Sequence, residues 1–221
     1  MRQPQFETQD DFGAGSGIPP IPEWQIDPLV TNMDMWLPCE SRCDNDIGNV
    51  LMRLRIIFHQ KKQTPLEPSC LHDLTCFVIH RLLSTAPDPR TTLSSPYSEC
   101  IRYAVSSYMF IVQGPTYYPH SAILQDLMVR YIHCLKQTES SLCAFDELDV
   151  WLHAIGLVAT TGTTDYQWFA CRTGIISSAL SLYTWEDVFP YLRGVLWLDL
   201  PRVEAMFRPH WDAAFGITEK R

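Results

Sequence analysis

From Thr163 to Leu200 the apolar residues of this chain recur at spacings of three and four, which is the period of a helix and not of a strand. Trp168, Cys171, Ile175, Ala179 and Leu182 form one stripe. Trp185, Val188, Leu192, Val195 and Leu196 form a second. Each stripe has a start signal. Thr164 stands three residues before Gln167 and Thr184 three before Asp187, the reciprocal pairing by which a side-chain oxygen and a backbone N–H cap a helix N-terminus. Three of the seven Trp (Trp168, Trp185, Trp197) lie in this stretch. A Trp ring buries about 150–250 Å², so a helix pair anchored by three of them reads as a core rather than a surface. Pro190 lacks the N–H of one helical bond and is expected to kink the second helix.

The same period runs through the chain from Asp46 onward. Ile47, Val50, Leu51, Leu54, Ile57 and Phe58 mark the first helix. Leu71 to Leu83 is apolar on almost every side, the pattern of a helix in the middle of a bundle. Ile101, Ala104, Val105, Tyr108 and Val112 mark a third helix, begun at Ser95 or Ser98 and stopped by Gly114-Pro115. Pro119 suits the first turn of a fourth, with Leu124, Leu127, Met128, Tyr131 and Leu135 inside. Phe145, Leu148, Leu152, Ile155 and Ala159 carry a fifth. After the organising pair, Pro201 opens a last helix with Val203, Met206, Phe207, His210, Trp211 and Ala214 inside, bent at Pro209. The expectation is therefore an all-α fold: a bundle of about eight helices in antiparallel pairs.

The 221 residues suffice for one large domain or two small ones. Charge separates an N-terminal leader, residues 1–43, from a helical domain, residues 44–221. The first 40 residues hold seven acids and one base, so the rest carries only −2 of the net −8. The leader has Gly13, Gly15 and Gly17, then Pro19, Pro20, Pro22, Pro28 and Pro38, and it reads as disordered. Its acids alternate with Phe6, Phe12, Trp24, Met33 and Trp36. That composition suits an activation-type tail that folds on a partner. It also suits a linker whose Trp and Met tuck against the core, and that reading is favoured, because composition alone is weak evidence for an activation tail. The acidic balance argues against direct nucleic-acid contact, because phosphate neutralisation supplies most non-specific affinity.

No secretory signal follows Met1-Arg2-Gln3-Pro4, and the uncharged run Tyr103–Leu124 is broken by Gly114, Pro115 and Pro119, so no membrane span is expected. The eight cysteines then read as thiols in a reducing compartment. Their closest pairs, Cys39 with Cys43 and Cys70 with Cys76, lack C-x-x-C spacing. Cys70, His72, Cys76 and His80 fall on three turns of one helix. A tetrahedral zinc site draws its ligands from separated elements, so no metal is expected. No G-x-S-x-G, H-E-x-x-H or P-loop pattern occurs, and no catalytic residue, cofactor site or DNA-contacting residue is assigned. His120 beside Ser121 carries no site, and His153 with Asp149 reads as a surface i, i+4 contact. Arg53, Arg55, Lys61 and Lys62 form a basic cluster that reads as a solvated helix face. Tyr108, Tyr117, Tyr118 and Tyr131 are either polar handles of an apolar ligand cleft or, as is favoured, core tyrosines with satisfied hydroxyls.

Several of these stretches, in order, resemble the fungal-specific transcription-factor regulatory domain. The first blocks are Leu74-Thr75-Cys76-Phe77-Val78-Ile79-His80-Arg81-Leu82-Leu83, Ser98-Glu99-Cys100-Ile101-Arg102-Tyr103-Ala104 and Gly114-Pro115-Thr116-Tyr117-Tyr118. The later ones are Gln167-Trp168-Phe169, Thr184-Trp185-Glu186-Asp187-Val188, Val195-Leu196-Trp197-Leu198-Asp199 and His210-Trp211-Asp212. Together they span roughly residues 70 to 215. The resemblance implies an all-helical domain in the nucleus that takes part in dimerisation, effector response and restraint of activation. Such proteins read DNA through a six-cysteine zinc cluster, and this chain shows no such cluster, basic linker or dimerising coiled coil. The expectation is a transcription-regulatory module without its own DNA contact, acting through protein partners (the transcription machinery or a DNA-binding partner), with a homodimer as one form and a small effector as a second signal. The alternative functions are a helical protein-interaction scaffold unrelated to transcription, located in the cytoplasm, and an enzyme whose site carries no recognised motif.

Overall fold

The computed structural model describes Trp24 and residues 43–60, 66–84, 95–114, 121–138 and 145–218. Among these, eight helices and no strand are present. They are α1 (Asn45–Gln60), α2 (Pro68–Ser84), α3 (Pro96–Gln113), α4 (Ser121–Thr138), α5 (Glu147–Ala159), α6 (Tyr166–Leu180), α7 (Trp185–Val195) and α8 (Pro201–Thr218). The all-α expectation is met. The expectations for Pro119, Tyr117, Tyr118, Lys61, Lys62 and, apart from Trp24 and Cys43, the leader lie outside the described residues.

The centre is α5, not the α6–α7 pair. Every residue from Leu148 to Leu157 is buried, and α5 packs against α3, α4, α6, α7 and α8. The sequence carries the signal for this, since no charge interrupts Val150 to Ala159. Asp146 and Asp149 start the helix reciprocally: the Asp149 N–H donates to Asp146 Oδ1 at 3.1 Å and the Asp146 N–H to Asp149 Oδ2 at 3.0 Å. Phe145 precedes the helix. Nor is α2 the middle of the bundle. Ile79 and Leu83 are only half-buried, whereas α3 buries twelve of its eighteen residues between α2, α4, α5 and α1. Ser95 caps α3 in sequence with Pro96 in its first turn, and Gly114 ends it at φ 76°, a left-handed conformation natural only to glycine.

Helix α6 differs from expectation in both start and face. It begins at Tyr166 after Asp165, and Thr164 makes no cap. The threonines of the preceding turn bond backwards instead: Thr161 Oγ1 donates to the Val158 carbonyl and Thr163 Oγ1 to that of Thr160, each at 2.8 Å. The buried face is Phe169, Ala170, Thr173, Gly174, Ile176 and Ser177, on the opposite side of the helix from the predicted stripe, and Ile175 is 48% exposed. The reason is proximity. At Gly156 of α5 a Cβ would lie 1.9 Å from the ring of Phe169, so the two helices meet where one has no side chain. Gly156 makes room for the Phe169 ring, and that contact turns the Phe169 side of α6 toward α5.

Helix α7 follows its sequence pattern. Thr184 and Asp187 form the capping box, and Trp185, Val188, Leu192, Val195 and Leu196 are all buried. Helix α7 continues through Pro190, and α8 through Pro209. Ser181, at φ 58°, turns the chain between α6 and α7. The connection from α7 to α8 is extended, and Leu196, Trp197 and Leu198 are buried. Its backbone polar groups find partners on the core: Trp151 Nε1 donates to the Leu196 carbonyl at 2.8 Å, and the Leu198 N–H donates to the Tyr108 hydroxyl oxygen at 2.7 Å. A series of rings spaced 5.2–6.4 Å apart links Phe58, Tyr108, Phe207 and Trp197 across α1, α3, α8 and this connection.

Trp24 is buried against this domain, 4.8 Å edge-on from Phe77 of α2. Arg53 of α1 lies over its ring and donates from Nη1 to its carbonyl. For Trp24, the tucked-linker reading of the leader is therefore correct. Arg53 is no solvated face residue.

Candidate functional site

Helices α2, α3 and α4 line a partly open cavity of about 330 Å³, within the usual range for small-molecule pockets. Its walls follow from helix periodicity. Ile79, Leu82 and Leu83 are three and four apart at the end of α2, Tyr103, Ser106 and Phe110 stand at the same spacing on α3, and Ile123 and Leu127 are one turn apart on α4. These apolar walls account for the incompletely buried Ile79, Leu83, Phe110 and Leu127. Each turns toward the cavity an edge that a better-filled core would cover.

Five polar residues complete the lining. Arg102 is buried, with 3% of its side chain exposed, and its charge is matched: Nε donates to Glu99 Oε1 at 3.1 Å and Nη1 donates to the Leu82 carbonyl near the end of α2. That bond satisfies a carbonyl that the helix itself leaves open. The Ser106 hydroxyl donates to the Arg102 carbonyl at 2.9 Å and is thereby occupied. Burial, followed by the nearby Glu99 carboxylate, pushes the Tyr103 phenol above its ordinary value, so it stays protonated beside Glu99. Asp126 and Arg130 stand one turn apart on α4, both exposed, and make no ion pair with another described residue. The lining holds no His and no Cys. Such a cleft can hold an apolar body and orient a polar end at the rim by Arg130 and Asp126.

The residues singled out in the sequence lie elsewhere. Tyr108 and Tyr131 are fully buried core residues, the Tyr131 hydroxyl donating to the Leu152 carbonyl at 2.7 Å. Burial pushes Tyr108 above, and Tyr131 well above, the ordinary phenol range. Both are the satisfied core tyrosines that the sequence favoured. Cys76 lies 3.7 Å from His72, one turn back, and His80, one turn on, is buried. Among the described residues no group of three or more His, Cys, Asp or Glu is placed to hold a metal ion. His153 is no surface residue. It is buried, and its Nδ1–H donates to the Asp149 backbone carbonyl at 2.8 Å, because the Asp149 carboxylate is spent on the N-terminus of α5. Nε2 of that ring has no partner among the described residues. Burial, with the Arg172 charge adding to it, pushes its pKa down to about 4, so His153 is neutral near pH 7.

The cavity itself was missed. Its sequence signal is Arg102, one cation inside the apolar segment Ile101–Val105, with Ser106 one turn on. No helix among the described residues is long and apolar enough to cross a membrane. Comparison with protein-family models, with curated proteins and with solved structures finds no match for this chain.

Proposed function

We propose that these residues form a transcription-regulatory helical module of the fungal zinc-cluster type that reaches DNA through a protein partner and answers to a small apolar effector. The observation that carries the reading is the α2–α3–α4 cavity. The first two blocks of the resemblance, Leu74–Leu83 and Ser98–Ala104, supply part of its walls: Ile79, Leu82, Leu83, Arg102 and Tyr103. The all-helical architecture agrees with the resemblance. The net charge of −8 suits a protein partner better than phosphate. The nucleus is the compartment in which such a module acts.

The test is a reporter driven by a heterologous DNA-binding and activation domain, with and without this chain fused to it. Fusion is expected to lower reporter output. Leu127→Trp, which places a ring in the cavity, is expected to change that restraint at equal protein level. Unchanged output on fusion overturns the regulatory reading. Restraint that Leu127→Trp leaves untouched removes the effector from it.

A further inference from the structure

His72 and Cys76 stand one turn apart near the start of α2, and Gln113 is the last residue of α3. His72 Nε2 lies 3.7 Å from Cys76 Sγ, and its Nδ1 lies 2.5 Å from the side-chain amide of Gln113. The imidazole is thus held at both nitrogens, by a thiol on its own helix and by an amide from another. His72 is exposed, and Cys76 and Gln113 are half-buried, so dissolved ions reach the pair. Burial, and then the Asp73 carboxylate, raise the Cys76 thiol above its ordinary range, so it keeps its proton until a metal displaces it. The same carboxylate favours a cation beside the sulfur.

The two donor atoms are separated as neighbouring ligands of one metal ion are. With about 2.3 Å to sulfur and about 2.0–2.1 Å to nitrogen, tetrahedral ligands of zinc stand about 3.6 Å apart. A helix sets residues i and i+4 side by side, which brings both donors to one point above the same face. The ring is also supported in the manner of a metal-ligating histidine. Such a ring ligates through one nitrogen and gives the N–H of the other to an oxygen, which fixes its tautomer and its tilt. Gln113 stands at that second nitrogen. With its amide oxygen toward the ring it accepts the Nδ1–H, and Nε2 keeps a lone pair beside the sulfur. Thiolate and imidazole suit a borderline-soft ion, whereas magnesium and calcium take oxygen ligands.

We propose that Cys76 and His72 form a two-residue zinc site, with Gln113 as the residue that positions His72. The ion binds Cys76 Sγ and His72 Nε2 and keeps solvent in its open positions. The Cys76 S–H bond gives way to a Zn–S bond, and the proton passes to solvent. No electron is transferred. A site with two protein ligands exchanges its metal, unlike a closed four-ligand structural site. This is the kind of site that remains where no third His, Cys, Asp or Glu joins the pair among the described residues.

The test uses the untagged full chain, reduced and freed of metal by a chelator. It is treated with an alkylating reagent, with and without one equivalent of zinc, and mapped by tryptic digestion and mass spectrometry. Cys70 and Cys76 share the peptide ending at Arg81, so Cys70 serves as an internal control. The expected result is that zinc abolishes alkylation of Cys76 while Cys70 continues to react, and that magnesium protects neither. Competition against a chromophoric zinc chelator measures affinity. Cys76→Ser is expected to lose one equivalent of bound zinc, and His72→Ala to lose the protection of Cys76. Gln113→Ala is expected to weaken binding by about tenfold to a hundredfold, and Gln113→Glu, which still offers Nδ1–H an oxygen, to restore it. Far-UV circular dichroism checks that the variants are folded, and the wild-type protection map stands without them. Alkylation of Cys76 that zinc does not change, or zinc protection confined to other cysteines, overturns the site. Protection that survives His72→Ala overturns His72 as the second ligand. Equal affinity in Gln113→Ala and wild type, or no recovery in Gln113→Glu, overturns the positioning role of Gln113.

Discussion

Gly156→Ala is the sharpest probe of the way α5 and α6 meet. The added methyl carbon would sit 1.9 Å from Phe169 Cε1, 2.2 Å from Cζ and 2.5 Å from Cδ1. Carbon atoms rest about 3.5–4.0 Å apart, so the ring must retreat by roughly 1.5 Å. It has nowhere to go. Phe169 is fully buried, with Trp168 4.8 Å, Tyr131 6.1 Å and His153 6.2 Å from its centroid. Overpacking of this kind costs about 3 kcal/mol at the upper end of its usual range. Replacing a mid-helix glycine by alanine returns about 1 kcal/mol of helix propensity. The net loss is about 2 kcal/mol, which for a chain of this length lowers the melting temperature by about 4–8 °C. Urea unfolding followed by circular dichroism measures it. The double variant Gly156→Ala with Phe169→Leu tests the cause: a smaller side chain makes room for the methyl, so the two losses must fall short of additive. A Gly156→Ala protein as stable as the wild type, or strictly additive losses, would refute the reasoning.

The other predictions concern Trp24 and His153. Trp24→Ala is expected to destabilise the domain by about 3 kcal/mol, the cost of deleting a buried aromatic ring, and a urea midpoint that does not move would show that Trp24 does not hold the leader to α1 and α2. His153 titrates near 4 in the folded chain against an ordinary 6.5, so only the unfolded chain gains its proton between those values. Its share of stability is complete above about pH 6.5, falls as the pH drops toward 4 and then levels, a loss of up to about 3 kcal/mol. Unfolding curves across that window check it, and His153→Leu is expected to flatten the slope; the same slope in both proteins would assign the acid sensitivity elsewhere.

Helix number and kind were legible because a long 3.6-residue period, with Pro and Gly stops, leaves little choice: α1, α3, α7 and α8 bury the stripes written in their sequences. Faces were less legible where helices come close. The contact of Gly156 with Phe169 turns Thr173, Gly174 and Ser177 to the interior, residues that hydropathy sends outward. His153 shows the same limit: its sequence distance from Asp149 implies a side-chain pair, but the carboxylate is already engaged at the helix start. The cavity was illegible because it is a gap among three helices. Ile79, Leu83, Phe110 and Leu127 look like ordinary core residues in sequence, and only their packing shows what they leave unfilled.

The segment from Leu196 to Leu200 bears on where this chain tolerates rearrangement. Most connections in a helical bundle run over the surface and accept added residues at little cost. This one threads the interior, its amide and carbonyl held by Tyr108 and Trp151. New chain ends, or an inserted tag, at Trp197 would strip those two core side chains of their partners and expose both indole and phenol to an empty slot. The exposed turn Thr161–Asp165 is joined only to itself and its flanking helix ends and to His210. A circularly permuted chain opened there should keep its fold, and one opened at Trp197 should not.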